Sequence, residues 1–141
     1  MLKWFFLLMM AACVLGCGGH TAPQTTPSAS GEPRLVLSGN PRNGFNPLRV
    51  TFRVVLDGVA ENNQEWHCLK EEWDYGDGSI SSQKPYCEEF TADSKITTEF
   101  FNDHVYEIPG GYAASFTVGD KKLRSNKVGV RILESVRGPG K

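Results

Sequence analysis

The stretch Trp73–Ser79, WDYGDGS, places a large aromatic, two aspartates and two glycines within seven residues. Carboxylates and glycines this dense can hold a metal, cradle a phosphate, supply catalytic acids or close a turn. A phosphate loop needs a lysine followed by serine or threonine and then a helix, and neither follows here. The turn reading has direct support. Asp77-Gly78 is a hairpin signal, in which glycine supplies a positive φ and aspartate bonds back to nearby amides. Immediately upstream, Leu69, Glu71, Trp73 and Tyr75 share one face of an alternating segment, the period of a strand. Trp73 is therefore expected on the core face, at the end of a strand that runs into the turn.

Working outward, the same period recurs. Leu48, Val50, Phe52, Val54 and Leu56 alternate with Arg49, Thr51, Arg53, Val55 and Asp57, the pattern of a half-buried strand. Leu35 and Leu37 alternate with Arg34, Val36 and Ser38. Tyr112, Ala114, Phe116 and Val118 form a further alternating run, as do Val128, Val130 and Ile132. The segment TTEFFNDHVY is β-rich, but its inward face cannot be read because apolar residues occur at both parities. Turn signals separate the runs: GNPRNGFNP, DGVAENN, YGDGS, EIPGG and VGDKK. No stretch carries a long helical period. The expectation is an all-β, antiparallel Ig-like sandwich of about seven strands over residues 34–136, with a short tail at 137–141.

The chain opens MLKWFFLLMMAACVLGCGG. Lys3 is followed by twelve uncharged residues, Trp4 to Leu15, too few for a spanning helix, which needs about 20. Length and flanks fit a secretory signal over residues 1–16. VLGC, Val14 to Cys17, resembles the lipobox of bacterial lipoproteins, in which the cysteine receives lipid through its nucleophilic sulfur and becomes the first mature residue. Cys13 is a looser rival in MAAC. Gly16 before Cys17, and the polar segment straight after it, favour Cys17. Residues 17–33 are then the lipidated cysteine and a Gly/Thr/Ser/Ala/Pro-rich tether, which buries too little surface to fold. Gly18, where inner-membrane retention would ask for aspartate, is similar to outer-membrane sorting. The resemblance thus implies a lipid-anchored protein of the bacterial envelope, with the outer membrane as its address.

Of the four cysteines, two lie in the signal region. An exported domain keeps Cys68 and Cys87, and an even pair in an oxidising compartment predicts a disulfide. Zinc would need two more ligands, and no CxxC spacing exists. Cys68 has the opposite parity to Trp73, so the bridge is expected to brace the start of a strand against a following loop rather than cross the core.

Three motifs in order, EWDYGDGS, HVYEIPGGYAASFTV and SNKVGVRI, with NPRNGFNPLRVTF as their proline-rich lead, resemble a PKD domain, the β-sandwich module first noted in polycystin. The signature residues are Trp73, Asp74, Tyr75 (in place of phenylalanine), Gly76, Asp77 and Gly78, with His104, Tyr106, Gly110, Gly111 and Tyr112 further on. The resemblance covers nearly all of the expected domain. It implies that Trp73 and Tyr75 are core residues and that Tyr106 is a corner tyrosine bonded to backbone. Two departures stand out. Glu71 takes a place often held by an aromatic. The stretch from Gln83 to Glu99 is longer than usual and carries Cys87.

Net charge is -1, and no basic run with interleaved aromatics invites nucleic acid. His104 next to Asp103 is not a catalytic pair, because adjacent strand residues point to opposite faces; a hydrogen-bonded structural histidine is expected. No GxSxG, HExxH or comparable set is present, so no catalytic residue, no enzymatic activity and no cofactor are expected. PKD-like modules are associated with protein–protein or protein–carbohydrate contact. The expectation is accordingly a non-catalytic envelope lipoprotein, with the membrane and an envelope protein or glycan as its partners. Tyr86 and Phe90 in KPYCEEF are candidate contacts. The alternatives are a calcium-dependent structural module using Asp74 and Asp77, which calcium's need for six to eight oxygens leaves incomplete, and an accessory subunit of an envelope hydrolase complex.

Overall fold

The computed structural model describes residues 31–119 and 123–135. The signal segment, Cys17, most of the tether and the tail lie outside the described residues. The described strands are β1 (Arg34–Asn40), β2 (Asn43–Phe45), β3 (Leu48–Asp57), β4 (Glu71–Asp74), β5 (Ile80–Gln83), β6 (Glu99–Tyr106), β7 (Gly110–Val118), β8 (Leu123–Arg124) and β9 (Val128–Leu133). One turn of 3-10 helix, Gln64–Trp66, interrupts them.

The strands form two sheets, β1-β3-β6 and β2-β9-β7-β4-β5, with β8 also pairing β7. Their inward side chains make one aromatic-rich core. Phe52 and Phe100 come from the first sheet, Trp73 and Phe116 from the second, and Tyr75 from the turn straight after β4, all buried. The Trp73 and Phe116 rings lie 4.5 Å apart, and Phe100 and Phe116 5.2 Å, within the range for favourable aromatic pairs. The chain is an all-β sandwich with an Ig-like arrangement of its two sheets.

The sequence suggests about seven strands, all antiparallel; nine are present among the described residues, and β2 pairs β9 in parallel. The strands that no alternating run marks are β2, β5 and β8, of three, four and two residues. None is long enough to show a clear period of two. The pairing of β6 also settles its register. Val54 faces Phe100, Val50 faces His104 and Leu48 faces Tyr106. Phe100 and Tyr106 are therefore buried, while Phe101 is 59% exposed.

Two polar clasps tie the sheets together. The Asn126 side chain accepts from Leu37 N–H at 2.8 Å and donates to Leu37 C=O at 3.0 Å. It thus gives the backbone of edge strand β1 the pair of bonds a neighbouring strand would give. At another point Asn46 donates to Glu107 C=O and accepts from Ser135 N–H.

Candidate functional site

The signature folds as a turn whose side chains serve its own backbone. Asp74 Oδ1 accepts from Gly76 N–H at 3.0 Å, and Asp77 Oδ1 accepts from Ser79 N–H at 2.9 Å. Tyr75 N–H donates to Ser79 C=O across the loop. Gly76 and Gly78 have φ of 78° and 92°, the left-handed region that glycine enters without a Cβ penalty. At Gly76 space adds a second requirement: a Cβ would stand 2.7 Å from the Ala113 backbone.

This turn meets the HVY and GGY motifs in a cluster. Asp77 Oδ2 lies 2.6 Å from His104 Nε2, with both side chains mostly covered. The imidazole stacks on Tyr75 at 3.9 Å and 5°, and meets Tyr106 edge-on at 4.7 Å. Tyr106 stacks on Tyr112 and donates its buried hydroxyl to Tyr75 C=O at 2.9 Å. Tyr112 donates to Ile108 C=O at 2.7 Å. Tyr106 is therefore bonded to backbone as a corner tyrosine is, and burial pushes its hydroxyl pKa well up. His104 is the hydrogen-bonded histidine anticipated, with a partner 27 positions away in sequence rather than its neighbour. Asp103 points to the opposite face, where it accepts from Thr51 Oγ1 at 2.7 Å.

An Asp–His pair at this separation also occurs in hydrolases, where the histidine serves a nucleophile. Here the His104 Nε2 is engaged with Asp77, and the Tyr75 and Tyr106 rings pack against the imidazole. The pair joins β6 of one sheet to the β4–β5 turn of the other, a locking role. It also bears on calcium, since both Asp77 oxygens already bond within the protein. An ion would have to displace His104 and the Ser79 amide.

The pair has a pH signature. Burial pushes the Asp77 carboxyl up, but the His104 and Ser79 hydrogen bonds outweigh it and hold the pKa below the usual aspartate value. A lowered folded-state pKa contributes stability above the unfolded pKa and loses it as pH falls through the folded one. Hydrogen bonds to charged groups contribute about 1.5–3 kcal/mol. Asp77→Asn is expected to lose stability of that order at neutral pH. The gap from wild type should narrow as pH drops below the ordinary aspartate range, read from urea melts at a series of pH values. An equal gap at every pH would remove the charge from this account.

The second region is the segment between β5 and β6. Cys68 and Cys87 are disulfide-bonded with Cα atoms 5.8 Å apart, as the compartment argument anticipates. The bridge ties the approach to β4 to the following loop, outside the sandwich core. Cys68 has φ 57°, a left-handed position unusual for a side chain with a Cβ. The loop is held elsewhere too. Ile96 is buried, and its N–H donates to Glu61 C=O at 2.8 Å. His67, which shows no partner in the sequence, has Nε2 3.0 Å from Glu88 O and meets the Phe90 ring edge-on at 5.2 Å. Phe90 is thereby partly covered, whereas Tyr86 is 97% exposed.

Beneath this loop lies a recess of about 160 Å³, walled by Trp66, Leu69, Glu71, Tyr86, Phe100 and the disulfide. Trp66 is buried and does not stand out in the sequence, because a single 3-10 turn carries no periodicity. Burial pushes the Glu71 carboxyl pKa up, and a side-chain hydrogen bond with Trp73 opposes the rise.

Fold and site together define an all-β, Ig-like sandwich module. Among solved structures the chain is similar to the PKD domain of an M14-like peptidase from a Thermoplasmatales archaeon, with 16% identity and a TM-score of 0.47, covering 72% of this chain and 96% of that one. No family model matches the sequence, and no curated protein does.

Proposed function

We propose that this is a non-catalytic, lipid-anchored protein of the bacterial envelope whose sandwich contacts an envelope protein or glycan through the side built by residues 84–98. One observation carries the reading. Tyr86 is almost wholly exposed, yet it stands between Pro85 and the disulfide-bonded Cys87. Tyrosine is enriched at binding surfaces because it offers a large amphipathic contact with few rotors. A neighbouring proline and a cross-link reduce the ordering cost of binding. Phe90, set against His67, supports the loop from beneath. The anchor follows from VLGC, with Cys17 as the acylated residue and the outer membrane as the destination. An accessory role beside an envelope hydrolase is one form such contact takes.

The test is a photo-cross-linking residue at position 86 of the full chain in intact cells, with the same residue at Val36 as a control. Val36 is 48% exposed on the other sheet. A discrete adduct is expected from position 86 alone. Equal adducts from both positions, or none from position 86, would sink the placement. In the same cells Cys17→Ser should abolish incorporation of labelled fatty acid; incorporation that persists would move the anchor to another residue.

A further inference from the structure

The recess beneath Tyr86 carries an inference that rests on the contact reading above and gives it a chemistry. Its walls are mixed: Trp66, Leu69 and Phe100 give apolar faces, and one acidic side chain, Glu71, lies among them. Cavities of about 150 Å³ admit a guest the size of benzene, so a single side chain is the right scale of occupant.

Glu71 is half-buried, and among the described residues its carboxylate makes no ion pair. Two basic side chains line the same recess, and both are directed elsewhere. Lys95 pairs with Glu61 at 3.4 Å, and His67 is engaged with Glu88 O. A half-buried carboxylate without a countercharge is costly, which is also why burial raises the Glu71 pKa. The surroundings share its sign. From Glu61 to Glu99 the chain has ten acidic residues and three lysines, although acids and bases nearly balance in the whole sequence.

We infer that the recess is a docking site for one lysine or arginine side chain of an extended partner segment. The alkyl stem would lie against Trp66, Leu69 and Phe100, the charged head would meet Glu71, and Tyr86 would close over the stem. Long basic side chains bury their stems on apolar surface in this way, and an aromatic lip adds attraction for the cation. The acidic surroundings steer a basic segment toward the recess.

The experiment uses the full chain, isotope-labelled, titrated with the blocked tripeptide Gly-Lys-Gly and with its uncharged counterpart bearing norleucine in place of lysine. NMR shifts of the Trp66 indole and the Tyr86 backbone amide are followed. The lysine peptide should give saturable shifts at both, with affinity about tenfold or more above the norleucine peptide, the size of one charge-assisted hydrogen bond. Glu71→Gln should abolish that difference, whereas the paired change Glu88→Gln and Glu89→Gln should leave most of it. Equal binding of both peptides, absence of shifts at Trp66, or loss through the Glu88/Glu89 pair with Glu71→Gln unaffected would each overturn the assignment. If the position-86 adduct forms while the lysine preference is absent, the contact surface stands and the basic side chain does not. If both are absent, both readings fall.

Discussion

Replacing Trp73 with alanine should cost about 3–5 kcal/mol, the range for deleting a buried large aromatic. Two observations put it at the top of that range. Trp73 is 2% exposed. Its ring packs at 4.5 Å on Phe116 from the neighbouring strand, so the vacancy opens in the middle of the second sheet. Domains of this size hold about 5–15 kcal/mol in total, so the variant should be marginal or unfolded at about 37 °C. Trp73→Phe, which keeps much of the packing, should fall between. Urea unfolding followed by far-ultraviolet circular dichroism measures both. A loss under about 1 kcal/mol for the alanine variant would place Trp73 outside the core, since only surface changes are that small.

The second large effect belongs to the bridge. Cys68 and Cys87 close a short loop, with a separation of 19 residues. In the chain-entropy model a cross-link of that span contributes about 3 kcal/mol by restricting the unfolded chain. The double serine variant should lose stability of that order, yet the loss should be uneven in the native state. The β3–β6 pairs from Leu48↔Tyr106 to Arg53↔Phe101 and the β7–β9 pairs lie beyond the recess that the bridge lines, so those amides should stay protected in hydrogen exchange. Residues 84–98 should exchange faster, because Cys87 no longer holds them to the start of β4. The exposed Tyr86 would then be displayed on a looser loop, and its position-86 adduct should weaken although the sandwich persists. Uniform loss of protection across all strands would show that the bridge supports the whole fold.

Much of the architecture is legible in the sequence because a half-buried strand repeats every two residues. Leu35 and Leu37, the five alternating positions Leu48 to Leu56 of β3, and Val128, Val130 and Ile132 of β9 all read as inward-facing. Four of the five β3 positions and all the others are buried; Leu48 is partly so. Where both parities are apolar, as at Phe100 and Phe101, periodicity carries no information and pairing with β3 decides. Trp66 escapes such a reading because a three-residue turn has no period. Asn126 looks like any loop amide, and its role exists only because the edge of β1 passes beside it.

The motif WDYGDGS shows the same division. From sequence alone it is a core-facing tryptophan and a turn needing positive φ, since strand parity and turn chemistry are local properties. The two cysteines that fall within the domain likewise suffice to pair Cys68 with Cys87. The partnership of Asp77 with His104 was decided by the packing of one sheet on the other. So were the exposure of Tyr86, the covering of Phe90 and the setting of Glu71 in a recess beside Trp66, Leu69 and Phe100. Each depends on which distant segments meet, and a side chain's neighbours across a core are not a function of its neighbours along the chain.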